Sequence, residues 1–476
     1  MTNPTLIKSL FFLTLFWALR SDGQSNPDLK RTRHWYFGQK VGLNFTTTNP
    51  TLDFNSQMHS FETGSVMSDT TGNLMFYTNG DTVWNRIHQV MPNGTGLINC
   101  QSSSQGGIII KKPNSENLYY IFTNDCMENQ GISGVRYSLV DMSLNGGLGD
   151  VTIKNTLLYA PSTEKLTAIY HCNQQDIWLV GQVRNSNTFC SYLINQNGIN
   201  NTPVLSNIGY FHNDNAGACA GQMKFSPNGR KFAVVYSTYP NGVKELYDFN
   251  NNTGVISNLI TLPPDTSEWG VSFSPDNTKL YISSGSPYNK IFQYDLSSNN
   301  STTIIASQSL IYSKFGAVVY GLQLAPNGKI YCSHFYVDSM SVINNPNALG
   351  IACNYSHNTI ALQGRLCYES LPQFIESYFS PPVGCPTSLN ESSNSFISFS
   401  LWPSPSSTKV NLDLSNFSDN FADIIFQNQC GQSVKTFKQF SLDRKEIPID
   451  DLPNGSYFVI VQTPTFKQTR KLIVLR

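Results

Sequence analysis

The chain consists largely of short segments in which apolar and polar residues alternate, separated by turns rich in Asn, Gly, Pro and Asp. Such alternation predicts half-buried β-strands, because successive side chains of a strand point to opposite faces of its sheet. One strand–turn–strand unit occurs in three clear copies, which begin at Met223, Val271 and Leu322. Each turn contains Pro, then Asn or Asp, then a Gly or Asn that tolerates a left-handed backbone. The copies lie about 50 residues apart, which indicates a repeat architecture.

Three weaker copies of the same unit lie upstream and begin at Ser65, Gly107 and Thr167. All-β repeats of this length predict a β-propeller, in which each blade is a small four-stranded sheet. A further blade is predicted from the two ends of the array. We expect Trp35–Gly38 and Leu371–Phe379 to pair in one sheet, because such closure hides strand edges that would otherwise be exposed. The predicted fold class is all-β, a seven-bladed β-propeller, with six blades as the alternative.

The repeats assign residues 24–382 to the propeller, and a Pro-, Ser- and Asn-rich linker follows over 383–396. Residues 397–476 alternate again and predict a small all-β module, an Ig-like β-sandwich. Its strands are predicted at Asn411–Leu414, Ile424–Gln427, Val434–Phe437, Tyr457–Gln462 and Lys471–Leu475. Asn454 and Gly455 are expected to supply the positive φ of a tight turn.

The module carries several spaced motifs: a Gly-x-x-Val hairpin, a Leu-Pro-x-Gly-x-Tyr strand and a final strand that begins with Lys. It resembles the C-terminal type A sorting domain of cargo for the type IX secretion system of Bacteroidetes. The residues that fall on the pattern of that family are Gly431, Val434, Leu452, Pro453, Gly455, Tyr457 and Lys471. Ser404 stands where the family has Asn. The resemblance implies that the type IX secretion machinery is a partner, and that the tail is cleaved or used for attachment after passage across the outer membrane.

The N-terminus predicts a signal peptide over residues 1–23. Lys8 precedes an apolar run, Leu10 to Leu19, and small or polar residues follow. The run is too short for a transmembrane helix, and no later segment reaches that length. We therefore predict export to the periplasm, and then a secreted or outer-membrane surface location with no transmembrane segment in the mature chain.

Composition agrees with an extracellular β protein. Only 13% of residues are charged and the formal net charge is zero, so nothing favours nucleic acid as a partner. The chain has ten cysteines at irregular spacings, which predicts a few disulfides and no metal cluster. The repeats resemble the WD-like and Kelch-like propellers of exported Bacteroidetes proteins, and residues 79–96 look like one subgroup of them. That subgroup has no defined activity, so the resemblance implies a fold and an export route only.

No catalytic constellation is visible. The histidines do not pair at metal-ligand spacing, and the Gly-x-Ser-x-Gly motif of hydrolases is absent. We predict no cofactor, while a structural calcium ion near Asp214 stays open as an alternative. Loops next to inner strands should converge at the propeller axis, where a pocket can form. The residues proposed for ligand contact are Asp81, Trp84, Asn85, Asn213 and Asp214. The acids that could face the channel are Asp69, Asp81, Asp125, Asp176, Asp214 and Glu268.

Two functions follow from the sequence. The leading hypothesis is a secreted or surface-displayed binding protein whose ligand is an extracellular glycan or protein. The alternative is a propeller-based extracellular hydrolase or lyase that acts on glycans or peptides. Carboxylates that converge in the channel mouth would favour the enzyme. A rim of exposed Trp and Tyr without such carboxylates would favour binding.

Overall fold

A computed structural model describes residues 26–212, 216–285, 288–316, 319–382, 384–385, 398–415, 421–428, 432–441, 446–463 and 467–476. The chain divides into two compact units, Met1–Cys385 and Pro386–Arg476. The predicted signal peptide and most of the predicted linker lie outside the described residues. The domain boundaries given above stay predictions.

The described part of the first unit forms seven small antiparallel sheets, each built from strands that are consecutive in the chain. Sheet 1 contains β1 (His34–Phe37), β2 (Val41–Asn44) and β3 (Thr51–Leu52), and sheet 2 contains β4 (Ser65–Ser68), β5 (Leu74–Thr78) and β6 (Val83–Asn85). Sheet 3 contains β7 (Gly107–Lys111), β8 (Leu118–Thr123), β9 (Val135–Asp141) and β10 (Asp150–Tyr159). Sheet 4 contains β11 (Ser162–Tyr170), β12 (Ile177–Val183), β13 (Thr188–Asn195), β14 (Gly198–Ile199) and β15 (Val204–Asn207).

The remaining three sheets of this unit have four strands each. Sheet 5 contains β16 (Met223–Phe225), β17 (Lys231–Tyr236), β18 (Val243–Asn250) and β19 (Val255–Leu262). Sheet 6 contains β20 (Glu268–Phe273), β21 (Lys279–Ser284), β22 (Tyr288–Asp295) and β23 (Ser309–Phe315), and sheet 7 contains β24 (Val319–Leu324), β25 (Ile330–His334), β26 (Ser339–Ile343) and β27 (Tyr355–Ala361). The described helices are α1 (Ala216–Cys219), α2 (Ser301–Ala306) and the 3-10 turns Pro27–Thr32, Met127–Asn129, Asn145–Gly147, Gly350–Cys353 and Glu376–Tyr378.

The turns of the three clear repeats have the predicted backbone. Gly229, Asn277 and Gly328 all have positive φ, between the first and second strands of sheets 5, 6 and 7. In each turn the residue before Pro also donates its backbone N–H across the turn, as when Ser226 N donates to Lys231 O at 2.9 Å. The turn chemistry is local, so the sequence alone identifies it.

The segments that lead into the first strands lie together at one end of the unit, which we call the upper end. Hydrogen bonds link these segments in a series that returns to its start. The linked backbone pairs are Glu62 N to Gln101 O, Gln105 N to Glu164 O, Gln222 N to Trp269 O, Gly321 N to Glu369 O and Glu369 N to Phe61 O. Two serine side chains complete the series. Ser104 Oγ accepts from Gly221 N and donates to Glu164 Oε2. Ser283 Oγ accepts from Gly270 N and donates to Tyr320 O.

The predicted pairing of Leu371–Phe379 with Trp35–Gly38 is wrong. Strand β1 pairs with β2, whereas Gln373 forms a bridge with Ser65 at the start of β4. Pro372 has no N–H to offer a ladder, and the segment ends in a 3-10 turn. The two ends of the unit still meet through side chains, because the Trp35 ring lies 6.1 Å from that of Phe374 and 5.6 Å from that of Tyr331 in sheet 7.

The apolar core lies between neighbouring sheets. Ile169 and Phe189 of sheet 4 share a buried cluster with Phe232 of sheet 5. A second cluster joins sheets 5 and 6, and a third joins sheets 6 and 7. Two disulfides, Cys100–Cys126 and Cys172–Cys385, add covalent ties. The other described cysteines are buried thiols.

The second unit consists of two antiparallel sheets around one buried core. The first sheet contains β28 (Ser398–Trp402), β29 (Lys409–Ser415) and β32 (Glu446–Pro448), and the second contains β30 (Phe421–Gln427), β31 (Ser433–Ser441), β33 (Gly455–Gln462) and β34 (Lys467–Val474). All five predicted strands are present and begin earlier than predicted, and the last one, β34, ends at Val474, one residue before the predicted end. Ser404 Oγ accepts from Ile473 N at 3.1 Å and so fixes the first turn to the last strand.

The predicted left-handed turn at Asn454 and Gly455 is wrong. Neither residue has positive φ, and Gly455 already belongs to β33. The side chain of Asn454 instead accepts from the backbone N–H of Arg476 at 2.9 Å. This contact at the chain terminus has no local sequence signal.

Candidate functional site at the upper end

Loops between second and third strands also reach the upper end, because strands alternate in direction within each sheet. Tyr336, between β25 and β26, donates its backbone N–H to Cys367 O at 3.0 Å. Gly285, after β21, donates to Ser267 O at 2.8 Å, just before β20. The upper end therefore collects two sets of loops, and it is the place where side chains from distant parts of the sequence meet.

Four glutamates from different segments approach one another at this end, and we call them the carboxylate group. Glu62, Glu164 and Glu369 are buried, and Glu128 is exposed. Ser102 Oγ donates to Glu128 Oε1 at 2.9 Å and lies 3.5 Å from Glu62 Oε1. The carboxyl groups of Glu62 and Glu369 are in hydrogen-bonding contact, which requires a proton between them.

The charge state of this pair follows from its surroundings. Burial raises the pKa of Glu62 well above its usual range, and the nearby Glu369, Glu164 and Glu128 raise it further. Burial also raises the pKa of Glu369, to about 7, against the opposing effect of its bond to Glu62. Two carboxyl groups in contact cannot both ionise easily, so the pair keeps at least one proton at neutral pH.

Both carboxyl oxygens of Glu164 accept hydrogen bonds from other groups of the protein. Its Oε2 accepts from Ser104 N at 3.1 Å and Ser104 Oγ at 2.7 Å, and its Oε1 accepts from Met127 N at 2.8 Å. The neighbouring Lys165 turns elsewhere, since its Nζ donates at 2.8 Å to the carbonyls of Ala218 and Cys219. Lys165 is the only lysine adjacent in sequence to one of the four glutamates, and its ammonium group is therefore hydrogen-bonded elsewhere.

Aromatic side chains pack beside the carboxylate group. Phe61 and Tyr368 directly precede Glu62 and Glu369, and their rings lie 5.3 Å apart. Ring contacts of 5.1–5.9 Å continue from Phe61 through Phe335 and Tyr320 to Trp269. We call Phe61, Trp269, Tyr320, Phe335 and Tyr368 the aromatic cluster.

Exposed aromatic residues concentrate at the same end. Every exposed Phe, Tyr or Trp among the described residues of the first unit lies in a loop or strand terminus at the upper end. Tyr239 is 79% exposed and Tyr336 is 61% exposed. Tyr336 also contacts Phe335 and Tyr368 of the aromatic cluster. These residues, which we call the aromatic rim, are Phe211, Tyr239, Tyr288, Phe315 and Tyr336.

The residues proposed from the sequence lie apart from this group. Trp84, on β6, is only 9% exposed and stacks on Tyr77 with ring centres 5.4 Å apart. Asn85 is buried, and its Oδ1 accepts from the N–H groups of two residues in the following turn. Asp81 is half-buried and accepts from Thr82 Oγ1 at 3.1 Å. Asn213 and Asp214 lie outside the described residues. Ligand contact by these five residues stays a prediction.

The other acids considered from the sequence have local partners. Asp69 and Asp125 accept backbone N–H groups in their own turns, and Asp176 accepts from Asn173 Nδ2 at 2.8 Å. Glu268 is buried against Lys244, with 3.1 Å between Oε1 and Nζ. The carboxylate group was not predicted from the sequence. One feature of the sequence could have indicated it. Glu62, Glu164 and Glu369 each lie within or next to a buried segment, and their backbones form hydrogen bonds of the series at the upper end.

A metal centre is not favoured by the residues that the structure describes. Two sets of side chains come within metal-ligand spacing, one around Cys100 and Cys126 and one around Cys172 and Cys385. Both sets contain a disulfide, whose sulfur atoms are not thiolate ligands. Glu62, Glu164 and Glu369 do not form such a set.

The tail residues that were predicted as a sorting signal have two kinds of environment. Leu452 is buried, and Tyr457 donates its hydroxyl to Pro453 O at 2.7 Å, which holds the start of β33. Val434 and Lys471 are exposed on β31 and β34. Gly431 lies outside the described residues.

Comparison with protein families decides the nature of this tail. Residues 400–475 match the family described as secretion system C-terminal sorting domain. The second unit is therefore a sorting domain. This match supports export by the type IX secretion system, to the cell surface or the medium. Among the helices of the described residues, none is long and apolar enough to cross a membrane.

Comparison with solved structures gave matches at low sequence identity. The chain is similar to a candidate 6-phosphogluconolactonase from Bacteroides uniformis, at 10% identity and a TM-score of 0.44, over 69% of this chain and 98% of that chain. A second such protein, from Bacteroides fragilis, has 9% identity and a TM-score of 0.45, over 71% and 97%. At these values the likeness assigns neither activity nor substrate to this chain. Comparison with curated proteins gave no match.

Proposed function

We propose that the chain is an exported binding protein whose first unit is a seven-bladed β-propeller. Its second unit, an Ig-like β-sandwich, is the sorting signal for export. The seven consecutive sheets, the closed series of contacts at the upper end and the core between neighbouring sheets support the propeller. A signal peptide over residues 1–23 carries the chain to the periplasm, and the sorting domain carries it across the outer membrane.

The observation that carries the binding function is the aromatic rim. Soluble proteins rarely expose several large aromatic side chains on one face unless that face binds something. Here the rim residues lie in loops and strand ends from sheet 5 to sheet 7 and in the segment that leads into sheet 5, and Tyr336 contacts Phe335 and Tyr368 of the aromatic cluster. Tyr and Trp suit both glycan and protein ligands, because each ring has an apolar face and a polar edge.

A hydrolase is the second candidate, because carboxyl groups also converge at the upper end. A carboxyl group with a pKa near 7, such as Glu369, is suited to general acid or base catalysis at neutral pH. Glycosidases, however, hold their two carboxyl groups about 5–9 Å apart, with the sugar between them. Glu62 and Glu369 touch each other, so this pair does not have glycosidase geometry. Binding is therefore the better supported function.

The test is a screen of the secreted protein on glycan and protein arrays, repeated with Tyr239→Ser and Tyr336→Ser. We expect each rim substitution to weaken binding about tenfold, since buried aromatic anchors dominate interface energies. Ile351→Ser is the matched control, because Ile351 is 87% exposed between β26 and β27 at the opposite, lower end. Trp84→Phe examines the earlier prediction in the same assay. Unchanged binding in both rim variants would contradict the proposal.

A further inference from the structure

Two side chains of metal-ligand type lie beside the disulfide that joins Cys172 to Cys385. Cys172 Sγ lies 3.8 Å from His171 Nδ1 and 3.4 Å from Asn252 Oδ1. Asn252 Oδ1 also lies 3.8 Å from Cys385 Sγ. His171 and Cys385 are half-buried and Asn252 is exposed, so the group is open to solvent on one side. An imidazole nitrogen, an amide oxygen and two sulfur atoms therefore meet at one accessible place.

The distances within this group are those of a tetrahedral zinc site. Zn²⁺ binds thiolate sulfur at about 2.3 Å and nitrogen or oxygen at about 2.0–2.2 Å, so adjacent ligand atoms lie about 3.5–3.8 Å apart. The sulfur-to-nitrogen and sulfur-to-oxygen distances given above, 3.4–3.8 Å, already have that length. The His171 nitrogen and both sulfur atoms lie within 4.8 Å of one another. The two sulfur atoms are too close for zinc while they share a bond, and reduction of that bond frees them to separate.

Hydrogen bonds hold the two cysteines together independently of the disulfide. Cys385 N donates to Cys172 O at 3.1 Å, and Gln174 Nε2 donates to Pro382 O at 3.3 Å. The Cα atoms of the two cysteines lie 4.6 Å apart. The thiols would therefore remain neighbours after reduction, and a metal ion would not have to order the chain around itself.

His171 is oriented as a metal-binding histidine. Its Nε2 lies 3.1 Å from the carbonyl oxygen of Asn252, so Nε2 carries the proton and Nδ1 keeps its lone pair. Histidine ligands of metals commonly donate their other N–H to a carbonyl in this way. Asn173 N donates to Nδ1 at 3.0 Å, and a bound metal would take the place of this bond. Asn252 thus fixes the ring through its carbonyl and offers its amide oxygen to the same site.

We propose that reduction of the Cys172–Cys385 disulfide by a dithiol creates a zinc site whose ligands are Cys172, Cys385, His171 and Asn252. Two electrons and two protons pass from the dithiol to the S–S bond, which breaks to give two thiols, and the dithiol closes to a disulfide. Binding of Zn²⁺ then releases both thiol protons. Two thiolates neutralise the dication, whereas imidazole and amide are uncharged, so a half-buried site suits the complex. Zinc thereby replaces the disulfide as the tie between the end of the first unit and sheet 4.

The experiment uses the full secreted chain with Cys100→Ser and Cys126→Ser, because Cys100, Cys126 and Glu128 form a second set at metal-ligand spacing. The protein is reduced with dithiothreitol, desalted without oxygen and titrated with Co²⁺, whose thiolate complexes absorb through charge-transfer and tetrahedral ligand-field bands. We expect one equivalent of Co²⁺ to produce both bands and Zn²⁺ to displace it. The unreduced protein should give neither band. Absence of the bands after reduction would overturn the proposal.

Two histidine variants distinguish this site from metal that free thiols bind loosely. His171→Ala should weaken Co²⁺ affinity at least about tenfold, whereas His59→Ala, at an exposed histidine elsewhere in the first unit, should leave it unchanged. The unmodified chain is measured in parallel, as a guard against misfolding of the serine variant, and should show the same dependence on His171. Reduction should lower the denaturant midpoint of unfolding, and Zn²⁺ should restore it except in His171→Ala. Equal affinity or equal recovery in both histidine variants would refute the proposal and leave the ligand-binding function standing.

Discussion

At the scale of single residues, the contact between Glu62 and Glu369 links the stability of the first unit to pH. Burial raises the pKa of Glu369 to about 7, whereas an unperturbed glutamate titrates near 4.5. Between these values the folded state binds more protons than the unfolded state. The stability that this proton provides is therefore complete below pH 4.5 and is lost as the pH rises through about 7. We expect Glu369→Gln to remove most of this loss, because a carboxamide can donate to Glu62 without titrating.

The measurement is the free energy of unfolding by denaturant at about pH 5 and about pH 8. The unmodified protein should lose about 1–3 kcal/mol between them, and the variant clearly less. Glu116→Gln serves as a control at an exposed site. The same loss in all three proteins would show that the contact does not control this titration.

Single residues also show where sequence interpretation stops. Trp84 and Asn85 attracted attention because of their types, and local packing and turn bonds account for both. Glu62 and Glu369 come from opposite ends of the first unit's sequence, and only closure of the series of sheets brings them into contact. Spacing along the chain carries no information about such a pair.

At the scale of elements, the approach of β20 to β24 depends on a residue without a side chain. A Cβ at Gly270 would collide with the carbonyl oxygen of Tyr320 and with Ser283 Oγ. We expect Gly270→Ala to destabilise the first unit by about 1–3 kcal/mol, because backbone atoms in a packed core cannot move aside cheaply. Gly384→Ala is the control, since a Cβ there meets open space. Equal unfolding midpoints for both variants would contradict this reading of the contact.

The last strand of the tail is a second element with a testable role. Strand β34 pairs with β33 along its whole length and buries Leu472 and Val474. Deleting Lys471–Arg476 would expose the edge of β33 and open the core of the second unit. We expect the truncated chain to accumulate in the periplasm of a type IX-competent host, as measured by immunoblot of cell fractions and medium. Phe421→Ser, at an exposed position of β30, should be exported normally.

Normal extracellular yield of the truncated chain would contradict a role for β34 in export.

The elements themselves were largely predictable, because alternation and turn residues act locally. The segment Leu371–Phe379 was not, since its partner Ser65 lies at the other end of the unit and Pro372 interrupts any ladder. Apolar composition suggested a strand there, and tertiary contacts made it a buried connection instead.

At the scale of the whole molecule, two disulfides differ in what they hold together. Cys172–Cys385 joins cysteines 213 residues apart, and Cys100–Cys126 joins cysteines 26 residues apart. In the chain-entropy account, the longer loop restricts the unfolded chain more, by about 2 kcal/mol. Replacing Cys172 and Cys385 with Ser should therefore lower the free energy of unfolding more than replacing Cys100 and Cys126. The reverse order, measured in denaturant, would contradict the entropic account.

The longer disulfide also has a consequence for the life of the protein outside the cell. Cys385 is the last residue of the first unit, and the residues after it belong to the sorting domain unit. If a protease removes the sorting domain after export, the new carboxyl terminus follows a residue that is covalently bonded to Cys172, next to β11 of sheet 4. Exopeptidases can shorten that terminus only as far as the bond. Intact mass spectra of the secreted protein should thus show a ragged carboxyl terminus that stops at Cys385. The disulfide between Cys385 and Cys172 should remain intact in every species.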